Sequence, residues 1–310
     1  MIRNVVKDFL YNEATLMPDP AQLAALAAVH RRGSFDLAAA ALRVTPSAIS
    51  QRIKALEDAT GCLLILRGQP ARATETGLRL IRHHDEIALL DQSLAIDLAR
   101  PLPGPATLRI AVNADSLATW IIPALAATPG YLFDLVIDDQ DVSQDLLKRG
   151  EVAAAITAHP GPLQGCETIR LGPLRYRATA SPGYMARWMP LGPTALALSL
   201  APTLSFSDKD RLQDTWVAAN IPDARRLLLP THRMASTHAF VDACLLDLGW
   251  GLNPEPLVAN HLASGALVEL LPDTPLDVPL HWQFTRLAAP ALAPLTRALR
   301  AAAAMRLRRG

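Results

Sequence analysis

Thr45-Pro46-Ser47-Ala48-Ile49-Ser50-Gln51-Arg52-Ile53-Lys54-Ala55-Leu56-Glu57 reads as one helix with two unlike faces. Thr45 is a good N-cap, and Pro46 suits the first helical position, where a missing N–H costs nothing. At about 100° per residue, Ser47, Ser50, Gln51 and Lys54 fall within an arc of roughly 100°, while Ile49, Ile53 and Leu56 gather opposite. The apolar arc suits a core and the polar arc a groove. Just upstream, Ser34 to Leu42 forms a second capped helix, and Arg43-Val44 leaves only a tight connection. Two helices so joined make a helix-turn-helix, whose second helix reads the major groove of double-stranded DNA. Ser34, Thr45, Pro46, Ser47, Ser50, Gln51, Arg52 and Lys54 are its candidate DNA contacts.

Downstream, Cys62 to Glu75 suits a wing. Arg67 and Arg72 bracket Gly68-Gln69-Pro70, a turn composition that can carry guanidinium groups to phosphates or a minor groove. Residues 19–75 thus read as a winged helix-turn-helix domain. Thr76 to Leu98 continues as a long helix, with Leu80, His84, Ile87, Asp91, Leu94 and Leu98 at three-and-four spacing, a seam with polar interruptions. Residues 76–100 are the linker helix, and its apolar content favours subunit pairing over a solvated spacer. Arg100-Pro101-Leu102-Pro103-Gly104-Pro105 ends it in a stiff hinge.

After the hinge, strand-like runs (Leu108 to Val112, Phe133 to Ile137, Ala153 to Thr157) alternate with helical segments, one of which begins near Ser116. The expectation is an α/β unit with a mainly parallel sheet. Ala301 to Ala304 reads as helix rather than linker. In such sheets ligands sit beyond the carboxyl ends of strands, near helix N-termini. Ser116 to Thr119 and Ser236-Thr237 hold those positions and could grip a carboxylate; simple N-capping is an equal reading of any one hydroxyl.

Composition constrains the rest. A chain of 310 residues with 50% hydrophobic content and net charge +1 is no uniformly basic nucleic-acid coat. Residues 18–75 carry seven Lys or Arg against five Asp or Glu, only +2. Any DNA contact must come from local placement of charge. Cys62, Cys166 and Cys244 are too scattered for a disulfide scaffold or structural zinc and read as small buried side chains in a reducing cytoplasm. No apolar run suits a signal peptide or a membrane span. Residues 1–18 are an N-terminal extension, either genuine or an upstream start assignment. His83-His84 lie adjacent on the linker helix, where their side chains diverge, so no metal site is expected. No cofactor fingerprint, P-loop, nucleophile elbow or catalytic set is present, which excludes an enzyme from the expectation.

Leu23, Leu26, Val29, Gly33-Ser34-Phe35, Ala38-Ala39, Leu42, Val44 to Ser50, Leu56-Glu57 and Gly61 together resemble the DNA-binding domain of LysR-type transcriptional regulators. Asn113 to Trp120, Asp138 to Asp141, Gln164 to Cys166 and Leu248 to Pro254 look like the ArgP/LysG-like branch, also described as chromosome-initiation inhibitors, which controls export of basic amino acids. The resemblance implies an α/β chain overall: an N-terminal winged helix-turn-helix, a dimerising linker helix and a two-lobed, periplasmic-binding-protein-like α/β effector domain at 106–310. Lobe 1 would take 106–177 and 278–310, and lobe 2 178–277. It implies an effector, lysine or arginine, contacted by Asn113, Ser116, Thr119, Trp120, Asp139, Asp141, Ser236 and Thr237. Three acids in four residues at 138–141 otherwise read equally well as a solvated loop. Val142-Ser143 departs from the His-Thr pair common in the branch. The implied assembly is a homodimer or homotetramer on promoter DNA, with RNA polymerase a further candidate partner and no membrane contact. A solute-binding protein would explain only the C-terminal two-thirds.

Overall fold

The computed structural model describes residues 18–98, 100, 105–137, 143–161, 163–225 and 227–308. The described chain forms two compact units that divide between Asp91 and Gln92.

The first unit is built on α1 (Pro20–Arg32), α2 (Phe35–Leu42) and α3 (Pro46–Thr60). Asp19, Ser34 and Thr45 each cap the helix that follows through a side-chain oxygen, and Gly33 and Gly61 end α1 and α3 with left-handed backbone. Leu23, Leu26, Val29, Ile49, Ile53 and Leu56 fill the core between them. A short hairpin, β1 (Ile65–Leu66) and β2 (Arg72–Ala73), makes the wing, with Leu66 opposite Arg72. Glu57 on α3 accepts the N–H groups of Leu64 and Ile65 at 2.8 and 3.3 Å, which ties the wing to the recognition helix. α4 (Glu75–Asp97) follows. Its first turn lies so close to the wing that a Cβ on Gly77 would stand 2.3 Å from the Leu64 carbonyl oxygen. Farther along α4 and just past its end, Ile87, Leu90, Leu94 and Leu98 stay exposed at spacings of three, four and four. Leu80 instead packs on the first unit's core.

The second unit contains β3 (Ala106–Val112), α5 (Ala114–Thr119), α6 (Ile122–Ala126), β4 (Tyr131–Ile137), α7 (Ser143–Lys148), β5 (Ala154–Thr157) and β6 (Cys166–Ala180). There follow α8 (Pro182–Trp188), α9 (Ala195–Leu200), β7 (Thr203–Ser205), α10 (Leu212–Asn220), β8 (Thr231–Arg233) and α11 (Thr237–Leu245). β9 (Gly251–Pro254), α12 (Glu255–Ser264), β10 (Val268–Glu269), β11 (Leu276–Thr285) and α13 (Ala289–Arg306) complete it. β3 pairs in parallel with β4 and β5, but β11 with β5 and β6, and β6 with β9 and β10, are antiparallel. The sheet is therefore mixed rather than mainly parallel. Alternating strands and helices predict parallel crossovers, but β6 and β11 are long strands that run out and back. One end of the β6–β11 ladder serves the β3–β4–β5 side and the other meets β9 and β10, which makes two lobes. The register shifts between Leu280 and His281. The tail Ala301 to Ala304 lies within α13. Cys244 is buried and Cys166 partly so, but Cys62 is exposed, because it follows the Gly61 cap and leaves the core at the base of the wing. No described helix is long and apolar enough to cross a membrane.

Candidate functional site

Two surfaces carry chemistry, one in each unit. On the first, Thr45, Pro46, Ser47, Gln51 and Lys54 are exposed and Ser50 and Arg52 partly so, while Ile49, Ile53 and Leu56 are buried. The predicted division of α3 into two faces is the observed one. Thr45 Oγ1 accepts the N–H of Ala48 at 3.2 Å and lies 3.0 Å from Ser47 Oγ, so the cap fixes the start of the face. Ser34 is engaged as the cap of α2. Arg72 is exposed in the wing, and the Arg67 guanidinium lies over the Phe35 ring at 5.5 Å. Arg43, in left-handed backbone at φ 55°, makes the turn between the helices and is itself exposed, a cation the periodicity argument did not single out.

The second surface is a cleft of about 220 Å³ in the second unit, between the ends of β3 and β9, the start of α11 and the loop before α10. Asn113 and Thr237, both expected from sequence, line it. The others fall elsewhere. α5 starts two residues before Ser116, capped by Asn113 Oδ1 on Ser116 N–H at 2.9 Å, so Ser116 is neither the cap nor a cleft residue; it is fully buried. Thr119 bonds back to the Asp115 carbonyl and Trp120 is core, because one turn of helix carries both away from the strand end. Ser236 caps α11 from an exposed position outside the cleft lining. Asp139 and Asp141 lie outside the described residues.

What fills the centre instead is Asp115. Its carboxylate accepts the Tyr176 phenol at 2.6 Å and the Thr237 hydroxyl at 2.7 Å, joining α5, β6 and α11. Burial, which penalises the charged form, lifts its pKa above the ordinary 3.8; the two hydroxyl donors oppose this, and the charge of Asp210 adds to it. Asp115 has no ion-pair partner among the described residues. Asp210, Lys209 and Arg211 lie in the same lining. Asn113 Nδ2 and Asn253 Oδ1 are buried in this wall without a partner among the described residues. The amide directions follow from their other bonds: Asn113 Oδ1 is the α5 cap, and Asn253 Nδ2 donates to Thr179 Oγ1 at 3.0 Å. Unmatched buried donors and acceptors facing a cleft are what a polar ligand relieves. The sequence signal for Asp115 is an acid in the first turn of a helix that follows a strand end.

The chain matches the family described as "Bacterial regulatory helix-turn-helix protein, lysR family" over residues 20–78 and the "LysR substrate binding domain" over residues 103–308. It belongs to the LysR family. As a LysR-type protein it is a DNA-binding transcriptional regulator and not an enzyme. It is 42% identical over 290 residues to the regulator LysG of Mycobacterium tuberculosis, covering 92% of this chain and 93% of that protein. It is 38% identical over 286 residues to the lysine export transcriptional regulatory protein LysG of Corynebacterium glutamicum, covering 91% and 96%. The solved full-length Corynebacterium glutamicum LysG with bound effector Arg superposes with TM-score 0.63 at 37% identity, over 94% of this chain and 100% of that one. The LysR-type fold thus places the helix-turn-helix at one end of the chain and the effector domain at the other.

Proposed function

We propose that this LysR-type regulator senses a basic amino acid, lysine or arginine, in the Asp115 cleft and controls transcription of an amino acid exporter gene from the cytoplasm. One observation carries the ligand class: Asp115, a carboxylate held by two hydroxyls and in no ion pair among the described residues, shares a cleft with Asp210, Lys209, Arg211 and two orphaned amide atoms. A cationic group completes Asp115, and Asn113 Nδ2 together with the N-terminus of α11 suits the α-carboxylate. The relatives' named roles in lysine export and arginine binding agree with this chemistry. A gel shift of the protein's own upstream DNA and any adjacent exporter promoter, with and without lysine or arginine, tests it. No effector-dependent change on either DNA at moderate salt would count against the reading.

The DNA face works through Ser47, Ser50, Gln51 and Lys54 on α3, with Arg72 on phosphate. Gln51→Ala is expected to lower affinity for the cognate site by about 1 to 3 kcal/mol and relax its sequence preference. Arg72→Ala should weaken cognate and random DNA alike and flatten the salt dependence. Binding curves on both DNAs across a salt series separate the two roles. Equal losses on both DNAs for Gln51→Ala would reverse the assignment.

The exposed stripe Ile87, Leu90, Leu94 and Leu98, along α4 and just past its end, pairs two subunits as a homodimer, a unit that can assemble further into a tetramer, and RNA polymerase is the partner that such a complex would recruit. Placing charge in that stripe with Leu94→Asp should shift sedimentation toward monomer and lower operator affinity at least tenfold, because two linked half-sites no longer act together. An unchanged sedimentation coefficient at micromolar protein would place the subunit contact elsewhere.

A further inference from the structure

Behind the loop that walls the effector cleft lies a second, smaller cavity of about 70 Å³, lined among others by Thr203, Ser205, Asp210, Arg211, Gln213 and Thr231. Gln213, in the first turn of α10, is only 3% exposed, and both Oε1 and Nε2 of its amide are buried without a partner among the described residues. A buried amide left open at both ends is costly and marks a missing occupant.

The hydroxyls say what kind. Thr203 Oγ1 already donates to the Trp250 carbonyl at 3.0 Å, Ser205 Oγ to the Ser207 carbonyl at 2.6 Å, and Thr231 Oγ1 to the Leu229 carbonyl at 2.7 Å. Each hydroxyl has one hydrogen, so all three can offer the cavity only lone pairs. With Gln213 Oε1 that makes four neutral acceptors, against one unmatched amide donor, Gln213 Nε2. Asp208, Asp210 and Asp214 stand around them against Arg211 and Arg233, and Arg211 is drawn to Asp214 at 3.7 Å. The lining is rich in acceptors and, at three acids to two bases, carries net charge −1.

We propose that this cavity is a second ligand site, for a compact cation rich in N–H donors, of the guanidinium or primary ammonium class. Gln213 Oε1 and the hydroxyl oxygens of Thr203, Ser205 and Thr231 receive its hydrogens. Asp210 is common to both cavities, and its carboxylate accepts the N–H groups of Phe206 and Leu212 at 2.9 and 3.0 Å, so the segment between them is a shared wall. The proposal does not depend on which effector occupies the larger cleft.

Trp216, one turn beyond Gln213 on α10 with its ring 5.7 Å from that of Trp250, supplies a fluorescence reporter. The full chain is titrated with methylguanidinium chloride in the low millimolar range, against sodium chloride at matched ionic strength. A saturable change is expected with the organic cation only, and it should persist in Asp115→Asn, which leaves the smaller cavity intact. Gln213→Glu adds a carboxylate and should tighten binding about tenfold, while Gln213→Leu should weaken it at least tenfold, with circular dichroism establishing that each variant folds. Four results overturn the site: no difference from sodium chloride, loss of the signal in Asp115→Asn, unchanged binding in a folded Gln213→Leu, or no tightening in Gln213→Glu. The first or the third would leave ordered water as the occupant. Should Gln213→Leu fail to fold, Gln213→Glu alone decides.

Discussion

Asp115→Asn is expected to lower lysine and arginine affinity by ten- to a hundredfold. The substitution keeps the shape and one carbonyl acceptor for the Tyr176 or Thr237 hydroxyl but removes the charge that a cationic ligand completes. A charge-assisted hydrogen bond contributes roughly 1.5 to 3 kcal/mol, and each 1.4 kcal/mol is a decade in affinity. Ligand-free operator binding should stay intact. The pH dependence follows from the raised pKa of Asp115. Without ligand, the folded protein holds this proton above pH 3.8, where an unfolded chain would release it, so Asp115's contribution to stability falls as pH rises through its folded pKa. A cationic effector prefers the ionised form, so its affinity should rise over the same interval. In Asp115→Asn that rise should flatten. Calorimetry across pH checks both; equal lysine and arginine affinity in parent and variant would remove Asp115 from the site.

Gly77→Val should abolish operator binding while leaving the effector domain folded. A Cβ at Gly77 meets the Leu64 carbonyl oxygen at 2.3 Å and Ala73 Cβ at 3.1 Å, and the first of these is backbone that the wing cannot move freely. Leu64 is itself fixed, its carbonyl accepting Thr74 N–H at 2.9 Å and its N–H bonded to Glu57 at 2.8 Å. Overpacking of this kind costs about 3 kcal/mol or more, a large share of a small domain's stability. Scanning calorimetry should show one transition lowered by several degrees and the other unmoved. Parent-like melting together with parent-like operator affinity would mean that the wing relaxes around the added methyl groups.

The α3 helix was legible because everything that defines it is local. Cap, proline, periodicity and the Gly61 stop lie within one stretch of chain, and a helix converts that order directly into two faces. The start of α5 was misplaced by two residues for a reason just as local: Asn113 competes with Ser116 for the cap and wins by geometry. The mixed sheet was not legible. Nothing in β6, where Glu167, Arg170, Arg175 and Arg177 interrupt the apolar residues, tells which part pairs with β11 and which with β9 and β10, since strand partners are chosen across the whole domain.

The cleft shows the same division more sharply. Asn113 and Thr237 could be named because a strand end and a helix start announce themselves in sequence. Asp115 could not, because its role depends on Tyr176 lying 61 residues away and Thr237 lying 122 away. Capping and hydrophobic periodicity over a few turns or strands were enough for the helix-turn-helix, the long linker helix and the α/β class, although Leu80, expected in the linker seam, packs on the first unit's core. That Asp115 and Asp210 line the cleft, that Ser116 is buried structure and that the Gln213 amide has no partner among the described residues became visible only in three dimensions. Burial, charge and hydrogen-bond satisfaction are properties of neighbours in space, and the long β6 and β11 strands bring those neighbours together from opposite ends of the domain.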